Sequence, residues 1–498
     1  MLNPLLALLS GAVLFLIHPR ASLWWLAPVA LLPLLLALAR ARQPHHRFLL
    51  GYAAGLVQWA GLCYWIEFVM AVHGRMGHWA GAGAFLLFLL LRALHMGCFG
   101  LLAGPLLTSP FALVAIPALW VLMERIPSFF GFMWLALGNV AVDLALPMRL
   151  APLTGVWGLS FLLALFSTAL FLLITQRNAV RLRRLTLAAV ALCAAILWLL
   201  PPLPEADPPQ HQAVLLQPNI PAEKVWTWEE ARALQQRLVE LSRRATLSGR
   251  AVRLILWPEV PAPLYYYEDA VLRQQLALLT RSTQTPLILG TVAQAPSGAP
   301  LNSALLIDRQ GQPAGRYDKV NLVPFGEYVP PAFGFVNRVT QEIGDFAPGS
   351  SIVVLKTPEH AVGVFICYES AFPHFVRQFA AHGAQLLANL SNDGYFGDTA
   401  ARQQHLWLVR MRAAETGRWI LRATNDGVSA AIDPSGRIRQ ALPERTQAAL
   451  RVGFATHTDQ TLYVRWGDWF LWLCLPPAVL PLLTSLKRRA GLKAHRLL

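Results

Sequence analysis

Three short segments each bring one reactive side chain to the end of an ordered run. In RLILWPEV an apolar strand pattern delivers Glu259 just after Pro258, which stiffens the chain where the strand stops. A carboxylate held there suits a general base, and open α/β sheets place their sites at strand ends. In AVGVFICYES residues 362–366 form a second buried strand pattern, and Cys367 sits where the chain must turn. If the following SAFPHFVRQFA starts a helix there, its N-terminal dipole lowers the pKa of the thiol. A thiolate is the nucleophile that acyl transfer needs. Between the two, YDKVNLVPFGEY carries Lys319, followed by Pro324, Gly326 and Glu327, the composition of an ordered loop. An ammonium in such a loop stabilises a developing oxyanion, with the nearby glutamate to hold it. Taken singly, each residue has a plainer reading: a loop glutamate, a solvated lysine, a small buried thiol. It is their order, Glu then Lys then a strand-end Cys, with these flanks, that points to covalent acyl chemistry.

Cys367 also stands apart among the five cysteines. Cys63, Cys98, Cys193 and Cys474 lie inside apolar runs, which leaves Cys367 alone in the polar part of the chain with no partner for an intradomain disulfide. There is no CxxC and no Cys/His set at metal-ligand spacing, so neither a metal nor a cofactor is expected.

The elements that must position these residues are legible around them. AVLLQPNI reads as a buried strand, and WTWEEARALQQRLVELSRRA as an amphipathic helix with Ala231, Leu234, Leu238 and Leu241 on one face. PLILGTVA, NSALLIDRQG and AQLLANLSNDG are further short β-rich runs bounded by Gly, Pro or Asn. The chain looks helical between Thr399 and Thr416, and WILRATNDGVSAAIDPSGRI reads as paired strands with a PSG turn. Strands separated by helices imply an α/β layered domain. Asn392, Asp393 and Gly394 read as a turn near the site and His405 as a helix or core contact, neither with a catalytic role.

Flanking this domain is a different composition. Of 498 residues, 55% are hydrophobic and only 14% charged, and the apolar residues crowd before about Pro204 and after Trp466. Apolar runs near the length that crosses about 30 Å of hydrocarbon fall at 2–18, 22–39, 49–71, 79–103, 110–125, 152–175, 184–201 and 466–484. The expected organisation is therefore a seven-helix transmembrane domain over 1–204, an extramembrane catalytic domain over 205–465, and a final helix with a basic tail over 466–498. The first run lacks a basic leader and a cleavage site, so it is expected to be a retained helix. The net charge of +15 does not imply nucleic acid, because RARQPHHR, QRNAVRLRR and KRRAGLKAHR sit beside apolar runs as positive-inside loops do. With a cytoplasmic N-terminus all three fall inside, and residues 205–465 fall outside. Trp24, Trp25, Trp65, Trp466 and Trp469 lie near span ends and read as interfacial anchors. Glu67, Arg92, Glu124 and Arg125 read as structural or interfacial charges, with lipid-headgroup contact as the sharper alternative. Residues 127–149, broken by Pro, Gly and Asp, read as a re-entrant or interfacial outer segment.

On these residues the sequence resembles the nitrilase superfamily, whose Glu-Lys-Cys set follows this order on an αββα sandwich. WPE, YDKVNLVPFGEY, ICYES and ANLSNDGYFGD, together with the span pattern, resemble its membrane-bound branch, the apolipoprotein N-acyltransferases, over essentially the whole chain. The resemblance implies Glu259 as general base, Lys319 as oxyanion stabiliser and Cys367 as nucleophile. It implies that Glu327 supports the lysine or the base, and that Tyr368 and Glu369 lie around a thioester. Either Trp226 or Trp228 matches a tryptophan near the acyl chain; spacing chooses neither, and packing at the start of the helix explains both equally. The implied reaction moves the sn-1 acyl chain of a phospholipid, mainly phosphatidylethanolamine, to Cys367 and then to the α-amine of an S-diacylglyceryl-cysteine apolipoprotein. That implies a multi-pass protein of a bacterial inner membrane with its catalytic domain on the periplasmic side, acting without nucleic acid or metal; nothing demands more than a monomer. PLYYYED and PPAFGFVNRV are aromatic loops read either as lids over an acyl pocket or as cover buried against the sandwich. Two rivals are a membrane-tethered amidohydrolase, which does not need the spans and greasy loops, and a transporter or lipid-binding scaffold, which does not need an intact triad.

Overall fold

Proline and glycine decide how the apolar runs become helices. The computed structural model describes residues 2–176, 179–203, 207–221, 224, 226–260, 264–328 and 346–494, without the side chains of 129, 130 and 486–494. The described chain divides into two compact units, one of residues 1–67, 79–202 and 466–498, the other of 68–78 and 203–465.

Among the described helices, Gly77–Leu106, Val156–Thr175 and Val180–Leu199 are long and apolar enough to cross a membrane, and Pro44–Cys63 passes together with Trp65–His73 across a 55° bend. Leu2–Leu16, Trp24–Arg40 and Trp469–Ser485 are shorter apolar helices. The run at 22–39 is not one helix: a 3-10 turn over Trp24–Val29 gives way to an α-helix over Leu32–Arg40. Pro28 and Pro33 each remove a backbone donor, and Pro33 sits where a helix start tolerates it. Residues 127–149 form short 3-10 turns at Ile126–Phe130, Leu137–Asp143 and Pro147–Leu150. Helices approach closely where a side chain is missing: a Cβ on Gly51 would meet the Met96 carbonyl, and one on Gly100 that of Arg47.

Trp24, Trp25 and Trp466 are exposed, whereas Trp65 is buried with its ring 4.9 Å from that of Trp134. Three of the charges in or beside the apolar runs have protein partners. The Arg92 guanidinium lies 3.8 Å over the Trp59 ring and beside His95, Glu124 accepts from the Leu137 amide, and Arg125 pairs with Asp468.

The second unit holds, among the described residues, two six-stranded sheets. Its strands are β1 (His211–Gln217), β2 (Val252–Leu256), β3 (Leu287–Gln294), β4 (Pro300–Ile307), β5 (Pro313–Asp318) and β6 (Val354–Lys356). They continue as β7 (Ala361–Ile366), β8 (Leu386–Ser391), β9 (Ile420–Thr424), β10 (Ala430–Ile432), β11 (Ile438–Ala441) and β12 (Ala448–Phe454). One sheet runs β12-β1-β2-β3-β4-β5, the other β11-β10-β9-β8-β7-β6. The centre of each is parallel, β1-β2-β3 and β7-β8-β9, with antiparallel strands at the margins. The two sheets pack on each other, helices Trp228–Leu247 and Ala270–Thr283 cover the first, and Pro373–Ala381 and Ala401–Thr416 cover the second. This is an αββα sandwich.

Local signals explain the helices. Thr227 and Glu230 form a capping box at the start of Trp228–Leu247, which buries Leu234 and Leu238. Asp269 caps Ala270–Thr283 through the amides of Val271 and Leu272. Both helices close the core around Trp257, Leu276 and Leu305.

Candidate active site

Glu259 lies at the carboxyl end of β2, and β3 continues to hold the chain beyond the strand. The Trp257 amide donates to the Ile288 carbonyl at 2.9 Å, and the Gly290 amide to that of Pro258 at 3.1 Å. Gly290 permits this approach, since a Cβ there would come within 2.5 Å of the Pro258 carbonyl and 2.7 Å of the Glu259 Cα. Glu259 is buried; its Oε1 accepts from Asn302 Nδ2 at 2.8 Å and Lys319 Nζ at 3.3 Å, its Oε2 from the Asn392 amide at 2.9 Å.

Lys319 follows β5. Its amide donates to the Asn302 carbonyl, and its own carbonyl accepts from Gly349. Only 1% of its side chain is exposed, and Nζ also donates to Glu327 Oε1 at 2.9 Å. Burial by itself drives the ammonium down, but Glu327 and Glu259 outweigh it and hold Lys319 well above the usual lysine range. Glu327 is anchored from its other oxygen by the Val323 amide at 2.8 Å. Asn302, on β4, donates its side-chain amide to Glu327 at 2.7 Å as well as to Glu259. It joins the two carboxylates, and sequence reasoning missed it; the only signal is an amide beside Ser303 in a mainly apolar strand.

Cys367 stands at the carboxyl end of β7 with a positive φ of 49°. For a residue other than glycine this conformation costs about 1–3 kcal/mol and persists only where the surroundings impose it. The turn after it is a 3-10 segment, Cys367–Ala371, and the α-helix begins only at Pro373. The expected lowering of the thiol pKa therefore fails. Burial raises it, the Glu259 carboxylate raises it further, and Lys319 only partly opposes them. A thiol held protonated in this way requires a base when it reacts.

Tyr368 is buried with its ring edge-on to Phe372. Glu369 is fully buried: Oε1 accepts from Tyr317 Oη at 2.7 Å, Val320 N at 2.8 Å and Asn321 N at 3.1 Å, and Oε2 from Ile366 N at 2.7 Å. Burial pushes its carboxyl up to about 7 against these donors. Its oxygens thus pin the lysine loop to the cysteine turn. Tyr395, just beyond β8, is about half exposed. Its ring lies 4.7 Å from that of His73, in the segment 68–78 that folds with this unit.

The two tryptophans have other neighbours. Trp226 is part-buried against the core cluster with Lys224 4.2 Å over its ring, whereas Trp228 is 67% exposed under Arg232. Leu264 and Tyr266 of PLYYYED are buried in the core, as cover, while Tyr267 is exposed. PPAFGFVNRV lies outside the described residues.

The profile of apolipoprotein N-acyltransferase N-terminal domains matches residues 10–169, and that of carbon-nitrogen hydrolases matches residues 212–456. The apolipoprotein N-acyltransferase of Geobacter metallireducens is 34% identical across 98% of this chain and 96% of its own length. The chain belongs to the apolipoprotein N-acyltransferase family. The family's member from Methylococcus capsulatus is 33% identical across 93% of this chain and 92% of its own. Among solved structures, an amidase from Nesterenkonia sp. is 21% identical, with a TM-score of 0.40, and covers 53% of this chain and 96% of that one. The family's two profiles fall one on the apolar helices and one on the αββα sandwich, whose fold is that of the nitrilase superfamily.

Proposed function

We propose that this chain transfers an acyl chain from a membrane phospholipid, through a thioester on Cys367, to the N-terminal amine of a diacylated apolipoprotein. The observation that carries the reading is the cluster of buried Glu259 and Lys319 with part-buried Glu327, joined by Asn302, in the same unit as a strained, buried Cys367 whose pKa Glu259 and Lys319 both bear upon. Glu259 takes the thiol proton as sulfur attacks the sn-1 ester carbonyl, and Lys319 neutralises the oxyanion. The C–S bond forms, the C–O bond breaks, and the proton on Glu259 passes to the departing lysophospholipid. The apolipoprotein amine then attacks the thioester, giving up a proton to Glu259; C–N forms, C–S breaks, and the proton returns to the thiol. A thioester is reactive enough to make the amide without ATP, which suits work outside the cytoplasm.

The reading takes residues 205–465 as the catalytic domain on the periplasmic side of an inner membrane, with 1–204 and 466–498 as spans and phosphatidylethanolamine as donor. In its support, the basic clusters at 40–47, 176–184 and 487–496 agree on one orientation. Intact-protein mass spectrometry after incubation with phosphatidylethanolamine vesicles tests the mechanism. The expected result is an adduct of one acyl chain, released by hydroxylamine and absent from Cys367→Ala; no adduct on the unaltered protein would sink it.

A further inference from the structure

Behind Cys367 lies a buried polar chain that the acyl-transfer steps above do not use. His405, fully buried on the helix Ala401–Thr416, places Nε2 2.9 Å from the backbone carbonyl oxygen of Cys367. A carbonyl oxygen only accepts, so Nε2 carries a proton and donates it to the nucleophile's own carbonyl. The other ring nitrogen, Nδ1, lies 2.9 Å from Asp393 Oδ1 and 3.4 Å from Arg422 Nη2. Asp393 is fixed in turn by Arg422 Nη2 at 2.6 Å and Ser391 Oγ at 2.9 Å, and it packs against Gly427 where a Cβ would collide. Arg422 also donates to Asn389 on β8, so the chain is rooted in the central strands of the sheet. The Phe396 ring closes the side of the imidazole, edge-on at 5.7 Å.

A backbone at φ 49° for a non-glycine residue needs a partner that holds it there. We infer that His405, oriented by Asp393 and Arg422, is a positioning residue that clamps the Cys367 peptide and so aims its sulfur at the acyl carbonyl. The inference rests on the proposed thioester at Cys367. The carbonyl that receives the His405 bond and the Tyr368 amide belong to one peptide group, so the clamp fixes the plane of that amide and polarises it. Loss of the clamp acts on attack, not on donor binding, because His405 is fully buried behind the nucleophile.

Single-turnover acylation separates this role from simple core packing. A glutamine amide reaches the position of Nε2 and keeps the donor to Cys367, whereas an asparagine amide reaches only the position of Nδ1 and loses it. His405→Gln is expected to acylate within about tenfold of the unaltered protein, and His405→Asn to be slower by about 100-fold. In both, the half-saturating concentration of phosphatidylethanolamine in vesicles is expected to stay within about threefold. His405→Phe keeps the ring volume and lacks the donor, and it is expected to match His405→Asn; it serves the comparison if the shorter side chain does not fold, with Tm as the check. Acylation by either folded donor-less variant as fast as by His405→Gln overturns the positioning role, as does a loss that appears in the half-saturating concentration. An unaltered protein that forms no adduct brings down the thioester reading and this inference together, and so distinguishes the two failures.

Discussion

Lys319 faces two carboxylates at 2.9 and 3.3 Å with almost no solvent, and the three charges are stable only as a set. Taking the ammonium away leaves buried Glu259 beside part-buried Glu327, joined only through Asn302 and backbone amides. Breaking a buried pair by removing one partner costs about 3–5 kcal/mol. Lys319→Met, similar in length and uncharged, is expected to lose that much stability in a denaturant titration and to form no detectable acyl adduct. The loop string YDKVNLVPFGEY shows a lysine among polar residues, which reads as solvated. Burial became visible only once β4 and β5 brought Asn302, Glu327 and Glu259 around it. Glu369 is the converse case: it lies two residues from Cys367 in sequence, yet its oxygens are occupied by Tyr317 and three backbone amides.

Among the elements, the parallel strands act as rulers. Glu259, Cys367 and Asn392 each follow the carboxyl end of a strand, β2, β7 and β8, so strand register decides where the side chains meet. The Glu259 end depends on Gly290, where β3 comes so close that no side chain fits. Gly290→Ala is expected to cost about 1–3 kcal/mol by overpacking. The Glu259 backbone must shift to make room, and a displacement of about 1 Å lowers acylation by about 100-fold. Thermal unfolding and single-turnover acylation measured on the same preparation check both; acylation at the unaltered rate would show that Glu259 does not depend on this contact. Strand patterns in RLILWPEV and AVGVFICYES were sufficient to locate Glu259 and Cys367. They did not reveal that β3 lacks a side chain at Gly290 for the sake of its neighbour, since a glycine in PLILGTVA reads as a strand boundary.

For the molecule as a whole, chain connectivity is closed by late segments. In the helical unit the final helix, Trp469–Ala494, is tied to earlier ones just before it starts. Asp468 accepts from Arg125 Nε at 3.1 Å and Trp157 Nε1 at 2.9 Å, and Trp469 Nε1 donates to the Leu153 carbonyl. Hydrogen bonds to a charged group are worth about 1.5–3 kcal/mol. Asp468→Ala is expected to destabilise the helical unit by about that amount, seen as a lower Tm in detergent, while the αββα unit still forms the acyl adduct. In the second unit β12 returns from near the end of the domain to pair with β1, completing the sheet that the first strand began.

The sequence by itself determined the two environments, the strand ends that carry Glu259 and Cys367, the loop that carries Lys319, and the family those motifs resemble. These are local or compositional properties, written in hydrophobic period, turn residues and charge clusters. Only the tertiary structure decided that Asn302 joins the two carboxylates, that His405 touches the Cys367 carbonyl, and that the thiol is raised, not lowered. Each of these depends on residues far apart in the chain meeting in a buried place, where desolvation outweighs the local dipole that the sequence suggested. Helix breaks at Pro28 and Pro33 lay between the two kinds: the prolines were plain to read, but hydropathy alone ran straight through them.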